Sequence, residues 1–277
     1  MSQNLNPVNP LRPLSVGNVV TAAFKLYGAR LQLYLRLALQ ATLWLIVPVY
    51  GWAKYGAIAG LICRLAFADL TQVPESLATA RSHVDQRLWR FLSIMLQLLL
   101  RFIGLYLLFA LMVMLAVGLA TAVAVATGLL GAVIGGLLSL GLLLGGLFIL
   151  VWFVSRWFLS EVPLAIEPDV NGTQSIERSW WLTQDSVLRV QGVVVVAFLV
   201  TLPILSLTNY LPQILLTLVD QESAAYVLGY WLGVAASLIG NVFILPFWQA
   251  VKAVTYYDLR SRREGLDIRL SDRPPTI

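Results

Sequence analysis

From Phe102 to Ser155 the chain runs for 54 residues without a charged side chain. A helix crossing the ~30 Å hydrocarbon core of a bilayer needs about 20 apolar residues at 1.5 Å rise each. The run is therefore too long for one span and long enough for two spans and a turn. Its middle is glycine-rich (Gly128, Gly131, Gly135, Gly136), which predicts the turn there. Composition agrees: 59% of residues are hydrophobic, 12% are charged and mean hydropathy is +0.81, where a soluble domain carries about 25% charge. A soluble globular domain, a disordered chain, a disulfide scaffold and a coiled coil are excluded. An all-α polytopic membrane protein remains.

The other spans follow from the charges. Thirty uncharged residues separate Arg189 from Asp220, interrupted by Pro203 and Pro212. They predict a span at about 190–209 and then a broken or interfacial segment. Twenty-nine separate Glu222 from Lys252, with Pro246 as an expected kink. Residues 31–51 make a first span with Arg36 near one end. Residues 52–70 hold Lys54 and Arg64, and charge bias decides them. If they span, the basic residues near the N-terminus, the Arg81–Arg90 group and the tail arginines share one side. The positive-inside rule makes that side cytoplasmic. The expectation is six spans, at about 31–51, 52–70, 91–122, 133–158, 190–209 and 226–257, in one transmembrane domain over 15–258. A flexible segment (1–14) precedes it and a cytoplasmic tail (259–277) follows. Both termini are cytoplasmic, in a bacterial-type plasma membrane or an internal membrane.

Net charge is +5. In such a chain this points to anionic headgroups on the cytoplasmic side, not to nucleic acid. Cys63 and His83 are the only residues of their types, so neither an intramolecular disulfide nor a histidine metal site is expected. No cofactor is expected either. Met1–Pro13 lacks a basic stretch leading into an apolar one, which predicts an uncleaved first span.

Three segments align without gaps: VVTAAFKLYGARLQLY (19–34), LATARSHVDQRLWRFL (77–92) and IERSWWLTQDSVLRVQ (176–191). Each reads as an amphipathic helix in the headgroup layer feeding a transmembrane helix, so that such helices precede spans 1, 3 and 5. An ordinary juxtamembrane linker has the same texture.

The stretches PLSVGNVVTAAFKLYGARL, EVPLAIEPDVNGTQSIERSWWLTQDSVLRV and YYDLRSRREGLDIRL together resemble the membrane-domain family named after glycerophosphoryl diester phosphodiesterase. SIERSWWLT (175–183) and YYDLRSRREG (256–265) are the most specific pieces. Glu167 and Arg178 fall where that family has an acidic residue and an Arg-Ser-Trp step. In the enzymes concerned, hydrolysis resides in a separate barrel domain of roughly 250 residues, for which this chain leaves no room. The resemblance implies the fold and not the activity.

Several residues carry candidate roles. In the repeat register Arg101 lies eleven residues, about 16 Å, beyond Arg90. A charge at that depth costs at least about 2.5–3.5 kcal/mol unless paired or hydrated. It is either a buried anion contact or, with the span starting later, a side chain snorkelling to the headgroups. Arg36 and Arg64 either snorkel or share with Arg101 a pocket for anionic lipid. Arg90, Arg178 and Arg189 are expected headgroup contacts. Gly131/Gly135 and Gly141/Gly145 each give the Gly-x-x-x-Gly spacing of close helix packing, within the hairpin or between copies of the chain. Trp152, Trp157, Trp180 and Trp181 mark one membrane interface; Tyr226, Tyr230 and Trp231 mark the other. A salt bridge from Glu161, Glu167 or Asp169 to Arg156 or Arg178 is expected.

No catalytic constellation stands out. Glu161, Glu167, Asp169 and Asp185 cluster in sequence without a motif. The leading expectation is a non-enzymatic accessory, scaffolding or lipid-binding membrane protein, with anionic lipids and a membrane-protein partner. The rival is a small transporter or channel for an anionic or lipid-like substrate, suggested by the repeats and the proline-broken fifth segment.

Overall fold

The computed structural model describes residues 14–73 and 75–266. The expected flexible segment, apart from Leu14, and the end of the expected tail lie outside them. All elements are helical, with no strand among the described residues.

The chain builds a packed head and two long arms. In the head lie α1 (Val16–Ala29), α2 (Leu31–Trp44), α3 (Tyr50–Leu70), α4 (Leu77–Asp85), α7 (Val162–Ile166) and α8 (Gly172–Thr183). The first arm is α5 (Leu88–Thr127) against α6 (Leu129–Trp157). The second is α9 (Val187–Leu205), a π-helical turn (Ser206–Tyr210) and α10 (Leu211–Leu216) against the first half of α11 (Ala224–Glu264). The second half of α11, from Leu245 to Leu259, returns into the head and packs on α3, α1 and α2.

Local signals explain the short helices. Ser15 caps α1 by accepting from the Asn18 N–H (3.2 Å), and Ser76 caps α4 from Thr79 (3.1 Å). Asn171 and Gln174 form a reciprocal capping box on α8. Three times a short helix of this kind ends in a polar break and a further helix starts: α1/α2, α4/α5 and α8/α9. α11 stops at Gly265, whose φ of 61° gives the left-handed cap.

The core sits in the head. Tyr34, Tyr256, Phe91, Leu61 and Ile62 are buried there, each worth about 1.5–3 kcal/mol in apolar burial. α3 is its axis, with 13 of 21 residues buried, most of them Ala or Gly. Glycine permits one close approach: a Cβ on Gly60 would meet the Phe91 ring at 2.6 Å.

The arms are the reverse. Only five of 40 residues in α5 are buried, and leucines and valines project outward along both helices. Four helices are long and apolar enough to cross a membrane: Leu88–Thr127, Leu129–Ile166 (α6 taken through α7), Val187–Leu216 and Ala224–Glu264. The sequence predicts six. The difference is the first pair. α2 has 14 residues, about 21 Å, short of a bilayer core. α3 is long enough but is wrapped by protein and carries Lys54, Arg64 and Asp69.

Two further expectations are refined. The first arm turns at Gly128 alone, with φ 68° and ψ −143°, a conformation open to glycine. Pro203 and Pro212 do not detach an interfacial segment; the helix continues through Pro203 and then a π-helical turn, and the Thr208 carbonyl, which Pro212 cannot serve, accepts from the Ser237 hydroxyl (3.2 Å). α11 runs through Pro246 without a break.

Candidate functional site

The polar chemistry lies where the head meets the arms. Glu161, at the α6–α7 junction, accepts from Lys252 Nζ (2.8 Å) and Gln249 Nε2 (2.7 Å) on α11. Its partner is therefore Lys252 and not Arg156 or Arg178. Glu167 accepts from Arg178 Nε (3.3 Å) and from the Tyr256 hydroxyl, and Arg178 also reaches Glu264. Asp258 accepts from the Leu14 N–H (3.3 Å) and Arg262 Nε (3.1 Å). These bonds tie α7, α8 and α1 to the end of α11.

The arginines expected to share one lipid pocket are not joined. All three nitrogens of Arg64 are engaged: Nε and Nη2 donate to Glu75 (2.8 and 2.9 Å) and Nη1 to the Ala165 carbonyl (2.8 Å). It pins α3 to α7. Arg36 is exposed on the outer face of α2. Arg101 is half-buried, with Nη1 unpartnered among the described residues. It precedes the Gly128 turn by 27 residues, about 40 Å of helix, which exceeds the hydrocarbon thickness. Its neighbour Phe102 packs edge-on against Trp157 (5.4 Å) at the head end of α6. Arg101 therefore lies near the head end of the first arm and not near its turn. Arg90 is exposed and, among the described residues, reaches only the Val170 carbonyl (3.4 Å).

The glycine spacing divides. Gly135 lies against the backbone of Ala120, where a Cβ would come within 2.9 Å, and Gly131 closes on Thr127. Ser139 continues that seam, donating to the Ala116 carbonyl (3.0 Å). Gly141 and Gly145 face away, with nothing within 4 Å. The second close approach is at Gly146, on the seam side of the helix, against Met112 and Phe109.

Arg156, expected to pair with Glu161, Glu167 or Asp169, makes no salt bridge among the described residues. At the end of α6, it is 5% exposed. Its guanidinium lies 4.0 Å from the Trp180 ring centre and 5.4 Å from that of Trp152. Nη1 donates to the Thr183 hydroxyl (3.3 Å), and Nε has no partner among the described residues. The signal available was the Trp152–Arg156 spacing of one helical turn beside Trp180. Arg156 borders an open cavity of about 740 Å³, shared with Arg189, Arg262, Ser186 and Leu188. Arg189 Nη2 stands 3.1 Å from Asp258 Oδ2 but is not aligned for a hydrogen bond. A second cavity, about 540 Å³, lies between α2, α3 and α4, beside the Lys54–Asp85 pair (2.9 Å).

His83 on α4 stands apart from both. Burial, then Arg64 and Arg87, pull its pKa down to about 4, so the imidazole is neutral at pH 7. Among the described residues no group of three or more His, Cys, Asp or Glu side chains is placed to hold a metal ion.

Comparison of the chain with family models, curated proteins and solved structures finds no match. Geometry and charge alone therefore carry the reading of this site.

Proposed function

We propose that this is a non-enzymatic integral membrane protein, with its apolar arms as anchors and its head on the cytoplasmic face, acting as a lipid-binding accessory or scaffold for other membrane proteins. One observation carries the reading. All 19 Lys and Arg residues lie outside the two apolar stretches 102–155 and 190–251. The Gly128 turn has no charge, and the tip of the second arm has only Asp220 and Glu222. A retained positive side of this kind is the cytoplasmic one. Four spans or six both put the two termini there, and the four-span version leaves Lys54 with the head. α1, α4 and α8 then serve as the interfacial helices of three repeated units.

Single cysteines in a Cys63→Ala background test the topology. Val125→Cys and Glu222→Cys should react with a membrane-impermeant maleimide from outside intact cells, and Ser82→Cys only after lysis. The reverse pattern would overturn the reading. Gentle purification with mass spectrometry of what co-elutes then tests the role.

The π-helical turn favours a second reading, a transporter of an anionic or lipid-like substrate. It places Thr208 and Asn209 within an apolar arm, and Ser237 of α11 donates to the Thr208 carbonyl (3.2 Å). Broken helices of this kind line transport sites. Flux of an anionic dye from proteoliposomes, lost in Asn209→Leu, would support it; its absence would leave the accessory role.

A further inference from the structure

We propose that the cavity bordered by Arg156, Arg189, Arg262 and the amino end of α9 binds the phosphate group of an anionic membrane lipid. This rests on the membrane reading above and gives its lipid contact a place and a chemistry.

Arg156 is the one buried arginine among the described residues. A buried guanidinium stays charged, and its desolvation is costly unless acceptors, aromatic faces or a compensating anion meet it. Two tryptophan faces and one neutral hydroxyl meet it; Asp185, on the same cavity, acts on it without forming an ion pair, and Nε remains unfilled. The free donor belongs to a side chain that borders the cavity.

The second element is α9, 19 residues long. Ser186 at its N-cap makes no side-chain cap. The first-turn N–H groups have no partner within the helix, and its dipole favours an anion there. The third is net charge. Arg156, Arg189 and Arg262 border the cavity with Asp185, and Asp258 lies behind Arg189 and Arg262. One positive charge remains uncompensated.

The surroundings select a lipid over a free anion. Trp152, Val187 and Leu188 border the same cavity, and Leu188 is 70% exposed. The uncharged run of α9 begins at Val190. A phosphate seated at Arg156 thus leaves its acyl chains running along α9. The charge surplus disfavours a zwitterionic headgroup carrying its own cation, so phosphatidylglycerol should bind and phosphatidylcholine should not.

Native mass spectrometry of the full chain in mild detergent tests this, with added phosphatidylglycerol or phosphatidylcholine and with inorganic phosphate as competitor. We expect selective retention of phosphatidylglycerol. Arg262→Gln should weaken it about tenfold, the value of one charged hydrogen bond, and Arg156→Gln by more. Arg156 is also part of the packing, so Arg262→Gln at the rim is the deciding variant, with Arg81→Gln at the other cavity as control. Equal retention of both lipids, or unchanged retention in Arg262→Gln, would overturn the site. Displacement of the lipid by millimolar phosphate would overturn the lipid assignment and give the pocket to a free anion. These outcomes leave the cysteine-labelling pattern untouched, so failure here is distinct from failure of the membrane reading.

Discussion

α3 and α5 are both apolar helices that read as spans, yet they have different solvents. α3 buries 13 of 21 residues against other helices; α5 buries five of 40. Size and charge separate them. α3 is built on Ala and Gly, which let neighbouring backbones approach, and its Lys54, Arg64 and Asp69 each meet an opposite charge in the head, Asp85, Glu75 and Arg30. α5 beyond Arg101 is built on Leu, Val and Ala, without charge or partner outside its own hairpin seam. Apolarity alone does not say whether a helix is solvated by protein or by acyl chains; small residues with paired charges say protein.

If the head is the stable unit and the arms are held mainly by lipid, substitutions should separate accordingly. Glu161→Leu is the largest test. It strands Lys252 and Gln249 in the head; with the side chains of Lys252 and Glu161 19% and 20% exposed, the stranded charge should cost about 2–3 kcal/mol, less than a fully buried one. The folded protein in detergent should lose most of its thermal stability, and Glu161→Leu with Lys252→Leu should recover much of it. A small effect of the single change would remove the head from its central place.

Gly60→Leu and Gly141→Leu make the comparison directly. The first drives a side chain into the Phe91 ring and should cost about 1–3 kcal/mol. The second enters open space and should leave unfolding unchanged in detergent. Equal effects would mean that α6 packs on something other than α5, such as another copy of the chain.

The two hairpin turns differ in the same sense. Gly128 sits at φ 68° without strain, whereas Val49 holds φ 61° and ψ −69° in a γ-turn, with the Tyr50 N–H on the Pro48 carbonyl (2.7 Å). A β-branched residue there is strained. Gly128→Ala should destabilise by about 1 kcal/mol, and Val49→Gly should stabilise by a similar amount. Melting curves of the two variants should move in opposite directions.

Much of this was legible in the sequence. The Arg101–Arg156 hairpin, the glycine turn and the charge asymmetry depend only on chain length against bilayer thickness, a local count. The role of 52–70 was not, because whether Lys54 and Arg64 find Asp85 and Glu75 depends on where α4 folds back. Nor was Glu161's partner, which comes from Lys252, far along the chain. The Gly-x-x-x-Gly rule found the seam at Gly131 and Gly135, then lost it, since Gly141 and Gly145 lie on another side of the helix from Gly135, Ser139 and Gly146. Arg156 read as an ordinary end-of-span arginine; only the return of α8 brings Trp180 over it.

The smallest effect concerns His83, on α4 in the head, four residues before Arg87 at the start of α5. Its folded pKa of about 4 lies below the ordinary 6.5. Between those values the unfolded chain holds a proton that the folded chain does not. Stability from this group is therefore complete above pH 6.5 and declines as pH falls towards 4. Carboxyl groups as a class titrate towards the lower end of that window, so the wild-type curve alone does not isolate the histidine. His83→Gln removes only the imidazole. Its melting temperature should fall less steeply than wild type between pH 6.5 and 4, with the two curves parallel above pH 7. Parallel curves throughout would mean that His83 is solvated in the folded head and that α4 does not hold it against Arg64 and Arg87.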